Sequence, residues 1–156
     1  MFAMWTAPDD QASPTLLVCD DSLDERIALA HFLRRGGFDV LEAGDGADAI
    51  HVLKNQSVDL VLLDLHMPDA GVDGFGVLGY LQEHRRALPV ILLTGLDPGG
   101  LQSEMRHQHI RELPLLLMKP FDPDQLLALI DAQLVGAIDA TELPSPTDTP
   151  TTPPSA

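Results

Sequence analysis

A single cysteine, Cys19, leaves this chain no partner for an internal disulfide. Inside an apolar run it reads as a small buried hydrophobe in a reducing compartment. No apolar stretch approaches the roughly eighteen residues needed to cross a bilayer. The opening Met1-Phe2-Ala3-Met4-Trp5-Thr6-Ala7-Pro8 lacks the basic start and long apolar middle of a secretory signal. A cytoplasmic location without membrane insertion is therefore expected. Basic residues are scarce too: nine Lys and Arg stand against 24 Asp and Glu, for a formal net charge of -15. Asp9, Asp10, Asp139, Glu142 and Asp148 lie towards the two ends, and the middle stays acidic without them. Such a surface repels nucleic acid, whose binding rests on Lys and Arg displacing counterions. The short pairs Arg34-Arg35 and Arg85-Arg86 fall where helices should end, which suits the helix dipole. No internal repeat is present, and 156 residues leave room for one domain with some tail.

What the chain does have is four continuous apolar runs with unusual endings. Leu16-Leu17-Val18-Cys19 runs into Asp20-Asp21, and Leu60-Val61-Leu62-Leu63 into Asp64. Val90-Ile91-Leu92-Leu93 runs into Thr94-Gly95, and Leu115-Leu116-Leu117-Met118 into Lys119-Pro120. Burying an unpaired charge costs several kcal/mol, so a carboxylate closing a buried strand needs a partner or a metal. In a parallel sheet these endings would converge at one edge.

Between the ends, strand and helix patterns alternate five times. The first strand is Thr15–Cys19. Ser22-Leu23-Asp24-Glu25 reads as a capping box opening a helix through Arg35, stopped by Gly36-Gly37. Phe38–Ala43 is a more mixed strand, nearer an edge, followed by a helix over Gly46–Lys54. Leu60–Leu63 precedes a helix over Gly74–His84 that Gly76 and Gly79 should soften. After a strand over Pro89–Leu93, Asp97-Pro98 caps a fourth helix ending near Arg111. Leu115–Met118 is the fifth strand, and Asp122-Pro123-Asp124-Gln125 opens a helix to about Val135. The division is an extension over 1–14, a folded unit over 15–136 and a Pro/Thr-rich tail over 137–156, the last expected to be disordered. Five such units with right-handed crossovers give an α/β fold: a doubly wound, five-stranded parallel sheet flanked by five helices. Its ligand site belongs at the carboxyl ends of the strands, which carry Asp20, Asp21, Asp64, Thr94 and Lys119.

This constellation resembles the receiver domain of two-component response regulators. The resemblance rests on Val18-Cys19-Asp20-Asp21-Ser22, Leu62-Leu63-Asp64-Leu65-His66-Met67-Pro68, Asp73-Gly74-Phe75, Leu93-Thr94-Gly95 and Met118-Lys119-Pro120-Phe121, in that order. Asp21 and Asp64 are 43 residues apart, and Asp64 and Thr94 are 30 apart. The resemblance implies a flavodoxin-like sheet of order 2-1-3-4-5 and a cis Lys119-Pro120 bond. It implies Asp64 as phosphoacceptor, taking its phosphoryl group from a sensor histidine kinase or a histidine phosphotransfer protein. Asp21, Asp64 and the backbone carbonyl of His66 would bind Mg²⁺, with Asp20 acting through a water. Three clustered carboxylates need such a dication, and hard oxygen ligands suit this one. Lys119 and Thr94 would contact phosphoryl oxygens. Output would pass to a downstream target protein, with a homodimer as one form of the phosphorylated state. The chain departs from the family at Leu116, a position usually aromatic, and in longer segments around 69–74 and 111–114.

Blander readings stand beside these. Asp20 alone has a lesser reading as a helix-entry cap, since Ser22 follows it. His66 and Leu96, each two residues past a site residue, shield a phosphoryl group from water or are ordinary loop side chains. His107 and His109, spaced i, i+2 on a helix, point to different faces and read as solvated surface. Met1–Trp5 reads as a frayed end before it reads as a partner anchor. A phosphohydrolase of the haloacid dehalogenase type also uses an aspartyl phosphate, but needs a second acid two residues after the nucleophile. Here Asp64-Leu65-His66 has none. The leading expectation is therefore a phosphorylation-switched interaction module and not an enzyme, with a phosphorelay intermediate or the input domain of a larger regulator as alternatives. A receiver that works without phosphate is disfavoured too, since Asp20, Asp21, Asp64, Thr94 and Lys119 are all present.

Overall fold

The computed structural model describes residues 13–67, 71–108, 110 and 112–135. The expected tail, most of the N-terminal extension, the tip of the 69–74 segment, His109 and Arg111 lie outside the described residues. Five strands, β1 (Thr15–Cys19), β2 (Asp39–Ala43), β3 (Leu60–Asp64), β4 (Val90–Thr94) and β5 (Leu115–Met118), alternate with five helices. The helices are α1 (Leu23–Arg35), α2 (Gly46–Asn55), α3 (Gly74–His84), α4 (Pro98–His107) and α5 (Pro123–Val135). All strand pairs are parallel and the sheet order is β2-β1-β3-β4-β5. Both expected edges are met: the mixed strand β2 closes one side and β5 the other.

Covered on both faces, the central strands read as continuous apolar runs, and the two-residue period sorts their side chains between two cores. Leu17, Val61, Leu63 and Leu92 pack with Ala49 and Leu53 of α2, Val77, Leu78 and Leu81 of α3, and Leu101 of α4. Leu16, Val18, Leu60, Leu62, Ile91 and Leu93 pack with Ala30 and Leu33 of α1 and with Leu126, Leu127 and Ile130 of α5. By this alternation Asp64 continues the row of Leu60 and Leu62, on the side of α1.

Each helix starts where a short polar side chain takes up an orphan N–H. Ser22 accepts from Glu25, Asp45 from Asp48, Asp73 from Gly76 and Asp97 from Gly100, while Asp122 accepts from Asp124 at the entry to α5. The stop after α1 falls at Gly37, whose φ of 98° an L side chain rarely adopts. Helix α4 ends at His107, short of the expected Arg111. There the Gln108 N–H bonds back to Glu104 and the Ile110 N–H to the Met105 carbonyl, a closure that turns Ile110 onto the core. Strand β4 runs one residue further than expected and takes Thr94 into the ladder opposite Met118.

Candidate functional site

The strand endings do converge. Asp64 ends β3 with 5% of its surface exposed, and Asp20 follows β1 with 3%. Together with the exposed Asp21, their carboxylates each offer an oxygen, and these oxygens lie within 4.8 Å of one another. Like charges this close repel, and the backbone answers only in part. Asp20 is fixed through every group it has: its N–H donates to the Ala43 carbonyl at 3.1 Å, and its carbonyl accepts from Arg26 Nη1 at 2.8 Å. Its Oδ1 accepts from the Ser22 N–H at 2.9 Å. Burial, with Asp64 and Glu25 adding to it, pushes the Asp20 carboxyl up to about 6, against the opposing pull of Ser22 N–H and Lys119. The same surroundings push the Cys19 thiol up to about 12, burial first and then the Asp64 and Asp20 charges. Cys19 is thus an inert core residue, as its place in the sequence suggested.

Lys119 supplies the cation. The Lys119-Pro120 bond is cis, and the Lys119 N–H donates to the Thr94 carbonyl at 2.7 Å, tying the end of β5 to that of β4. Its Nζ stands 3.1 Å from Asp64 Oδ2, 3.2 Å from Glu25 Oε2 and 3.7 Å from Asp20 Oδ2. Burial works against its charge, but the Asp64 and Asp20 carboxylates outweigh burial and raise its pKa. Asp64 Oδ1 accepts from the His66 N–H at 2.9 Å. Thr94 is fully buried, with Oγ1 accepting from the Leu96 N–H at 3.0 Å. Of the two flanking side chains, His66 is exposed, while Leu96 is partly buried against the core. Leu116, where an aromatic was expected by resemblance, packs half-buried on the same core.

Two glycines admit the backbone around this site. A Cβ on Gly74 would collide with the Asp64 carbonyl and the Leu65 Cα, so α3 starts directly against the end of β3. A Cβ on Gly46 would collide with the Val72 carbonyl, the same carbonyl that accepts the Gly46 N–H at 2.9 Å. Sequence reasoning missed this second contact, and also Arg26 and the ionic partner of Lys119, Glu25. The donor set fits the ion expected from the sequence. It is all oxygen and carries excess negative charge, with one member exposed and able to share its ligand with water.

The family model of the response regulator receiver domain matches residues 16–131. Among curated proteins, the chain is 41% identical over 85 residues to TcrX of Mycobacterium tuberculosis, a probable transcriptional regulatory protein. That match covers 53% of this chain and 35% of the relative. It is 39% identical over 80 residues to the sensor protein EvgS of Escherichia coli O157:H7, covering 51% of this chain and 6% of that protein. The chain thus spans 35% of the length of the first of these relatives and 6% of the second. Among solved structures, the signal receiver domain of a signal transduction histidine kinase from Syntrophus aciditrophicus superposes with a TM-score of 0.70. It is 25% identical, with 82% of this chain and 96% of that one covered. The chemotaxis protein CheY4 of Vibrio cholerae gives 0.67 at 26% identity, over 79% of this chain and all of the other. With the fold, the acidic cluster and the family match in agreement, the chain belongs to the response regulator receiver domain family of two-component systems.

Proposed function

We propose that residues 15–136 act as a phosphorylation-switched receiver, with Asp64 accepting a phosphoryl group from a phosphohistidine and the change being read by a partner protein. The observation that carries this reading is the Lys119 ammonium held 3.1 Å from a buried strand-end carboxylate. A carboxylate oxygen of Asp64 attacks phosphorus, the O–P bond forms as the P–N bond breaks, and the electron pair leaves with the imidazole nitrogen. Lys119 stands beside the acceptor carboxylate, within reach of the phosphoryl oxygens on which charge develops. Asp20, Asp21, Asp64 and the His66 carbonyl would hold Mg²⁺, which supplies charge neutralisation for the carboxylates and the phosphoryl oxygens. Thr94, buried and accepting from the Leu96 N–H, turns to donate its hydroxyl to a phosphoryl oxygen and takes the β4–α4 loop with it.

The donor would be a sensor histidine kinase or a histidine phosphotransfer protein. An apolar groove of about 510 Å³ beside the site supports a protein donor: Leu29 and Phe32 of α1 face Phe121 and Pro123 across it, and Asp20 and Lys119 line its end. The likeness to segments of both a transcriptional regulator and a sensor protein supports a second reading, in which the unit is a relay step or an input module of a longer chain. A phosphohydrolase of the haloacid dehalogenase type is disfavoured, since its second aspartate two residues after the nucleophile is replaced by His66. Among the described residues no helix is long and apolar enough to cross a membrane.

Incubation with Mg²⁺ and acetyl phosphate, read by intact mass, tests the reading. The wild type should gain one phosphoryl group and Asp64→Asn none. If neither acetyl phosphate nor a phosphorylated kinase labels the wild type, the proposal fails and phosphate-independent binding takes its place.

A further inference from the structure

Ser22-x-x-Glu25 has the grammar of a capping box, in which the glutamate reaches back to the N–H of the serine. Half of that box forms: Ser22 Oγ accepts from the Glu25 N–H at 3.4 Å. The other half does not, because Asp20 Oδ1 already holds the Ser22 N–H at 2.9 Å. Glu25 is thereby released from its capping duty, and its side chain crosses to Lys119 Nζ at 3.2 Å. Three acids now share one ammonium, and they are not equivalent. Asp20 and Asp64 are buried members of the acidic cluster, whereas Glu25 stands outside that cluster with 59% of its side chain exposed. A cation held by the cluster would neutralise its members and leave the charge of Glu25 in place at the open rim.

We propose that Glu25 is a positioning residue for phosphorylation, one that holds the resting Lys119 towards α1 and sets a negative charge in the path of small anionic phosphodonors. The inference rests on Asp64 being the phosphoacceptor. As phosphoryl oxygens arrive, Lys119 must weaken its bond to Glu25 in order to follow them. A doubly charged donor such as acetyl phosphate meets this carboxylate at full strength. Phosphoramidate, a zwitterion with less net negative charge, meets it less. Because Glu25 is exposed, salt screens its effect, while contacts inside the buried cluster are screened much less.

The test compares wild type, Glu25→Gln and Glu25→Lys in Mg²⁺ by the second-order rate constant for phosphorylation. Gln keeps the length and helix preference of Glu and leaves the Glu25 N–H bond to Ser22 intact, so α1 is not disturbed. At low ionic strength Glu25→Gln should raise the rate constant with acetyl phosphate by about threefold or more, and Glu25→Lys should raise it further. Both gains should shrink with phosphoramidate and with added salt, and Glu25→Gln should shift the Lys119 Nζ resonance in NMR spectra. A merely structural role moves neither the salt slope nor the ratio between donors. Equal rate constants for the three proteins at every ionic strength, with the wild type phosphorylated, would overturn the role of Glu25 alone. A wild type that takes no phosphoryl group from either donor removes the assignment of Asp64, and this inference with it.

Discussion

Leu62 and Asp64 lie two residues apart on β3, point to the same face and are both sealed from solvent. At Leu62, burial is the driving force: removing such a side chain from water stabilises the fold by about 1.5–3 kcal/mol. At Asp64 and its neighbour Asp20, burial works in the opposite direction, raising the Asp20 carboxyl to about 6 and drawing in the lone ammonium of Lys119. The body of the sheet is thus assembled from groups that prefer the interior. Its carboxyl edge is assembled from groups held there by that body. A cluster of this kind is a store of unfavourable interaction that a bound cation would relieve.

The contrast can be tested by exchanging stability against chemistry. Leu62→Ala should cost about 2–5 kcal/mol in urea unfolding, while the fraction that remains folded still accepts phosphate on Asp64. Asp64→Asn should lose phosphorylation and cost less stability than Leu62→Ala, since the amide can still accept the His66 N–H and its neutral group relieves the repulsion with Asp20. A loss as large as that of Leu62→Ala would mean that the edge helps to hold the fold together. Gly46→Ala probes the border between the two regions, where a methyl group would meet the Val72 carbonyl. A cost of about 1–3 kcal/mol is expected, with faster amide exchange at residues 71–73 and unchanged exchange in β4 and β5.

The smallest effect is electrostatic. The Asp20 carboxyl holds its proton more tightly in the folded chain, at about 6, than in the unfolded chain, at about 3.9. Protonation therefore favours folding, and without metal the protein should lose about 1 kcal/mol as pH rises from about 4 to about 6. Asp20→Asn should flatten that slope. Addition of Mg²⁺ at neutral pH should restore the stability of the wild type and do less for the variant. A metal-free wild type whose stability is flat over this window would show that Lys119 alone already balances the cluster.

The sheet and the meeting of Asp20, Asp21 and Asp64 with Lys119 were legible because a parallel sheet brings all strand ends to one edge. Four apolar runs with polar endings carry that information locally. Glu25 was legible only as a cap. Its four-residue motif is the same whether the glutamate closes the box or leaves it, and the outcome depends on Asp20 reaching the Ser22 N–H first. The end of α4 escaped for a similar reason: the residues after His107 do not announce the bond from Ile110 to Met105. Arg26 and Gly46 act on partners that only the folded chain brings close, the Asp20 carbonyl and Val72.

The strand register has a consequence for how such a chain can change length over evolution. Cys19 pairs with Leu63, Asp64 with Leu93 and Thr94 with Met118. Asp20 thus follows β1 at the level of Asp64, Thr94 stands one residue further out and Lys119 one beyond that. Each step is about 3.3 Å in a parallel sheet, so the strand ends form a staircase. One residue inserted within a strand would move a step and turn every side chain beyond it to the opposite face. Residues added in the connections after β3 or after α4 would leave every step where it was. Length is therefore constrained in the strands and tolerated in the connections, and the strand ends keep their spacing whatever joins them.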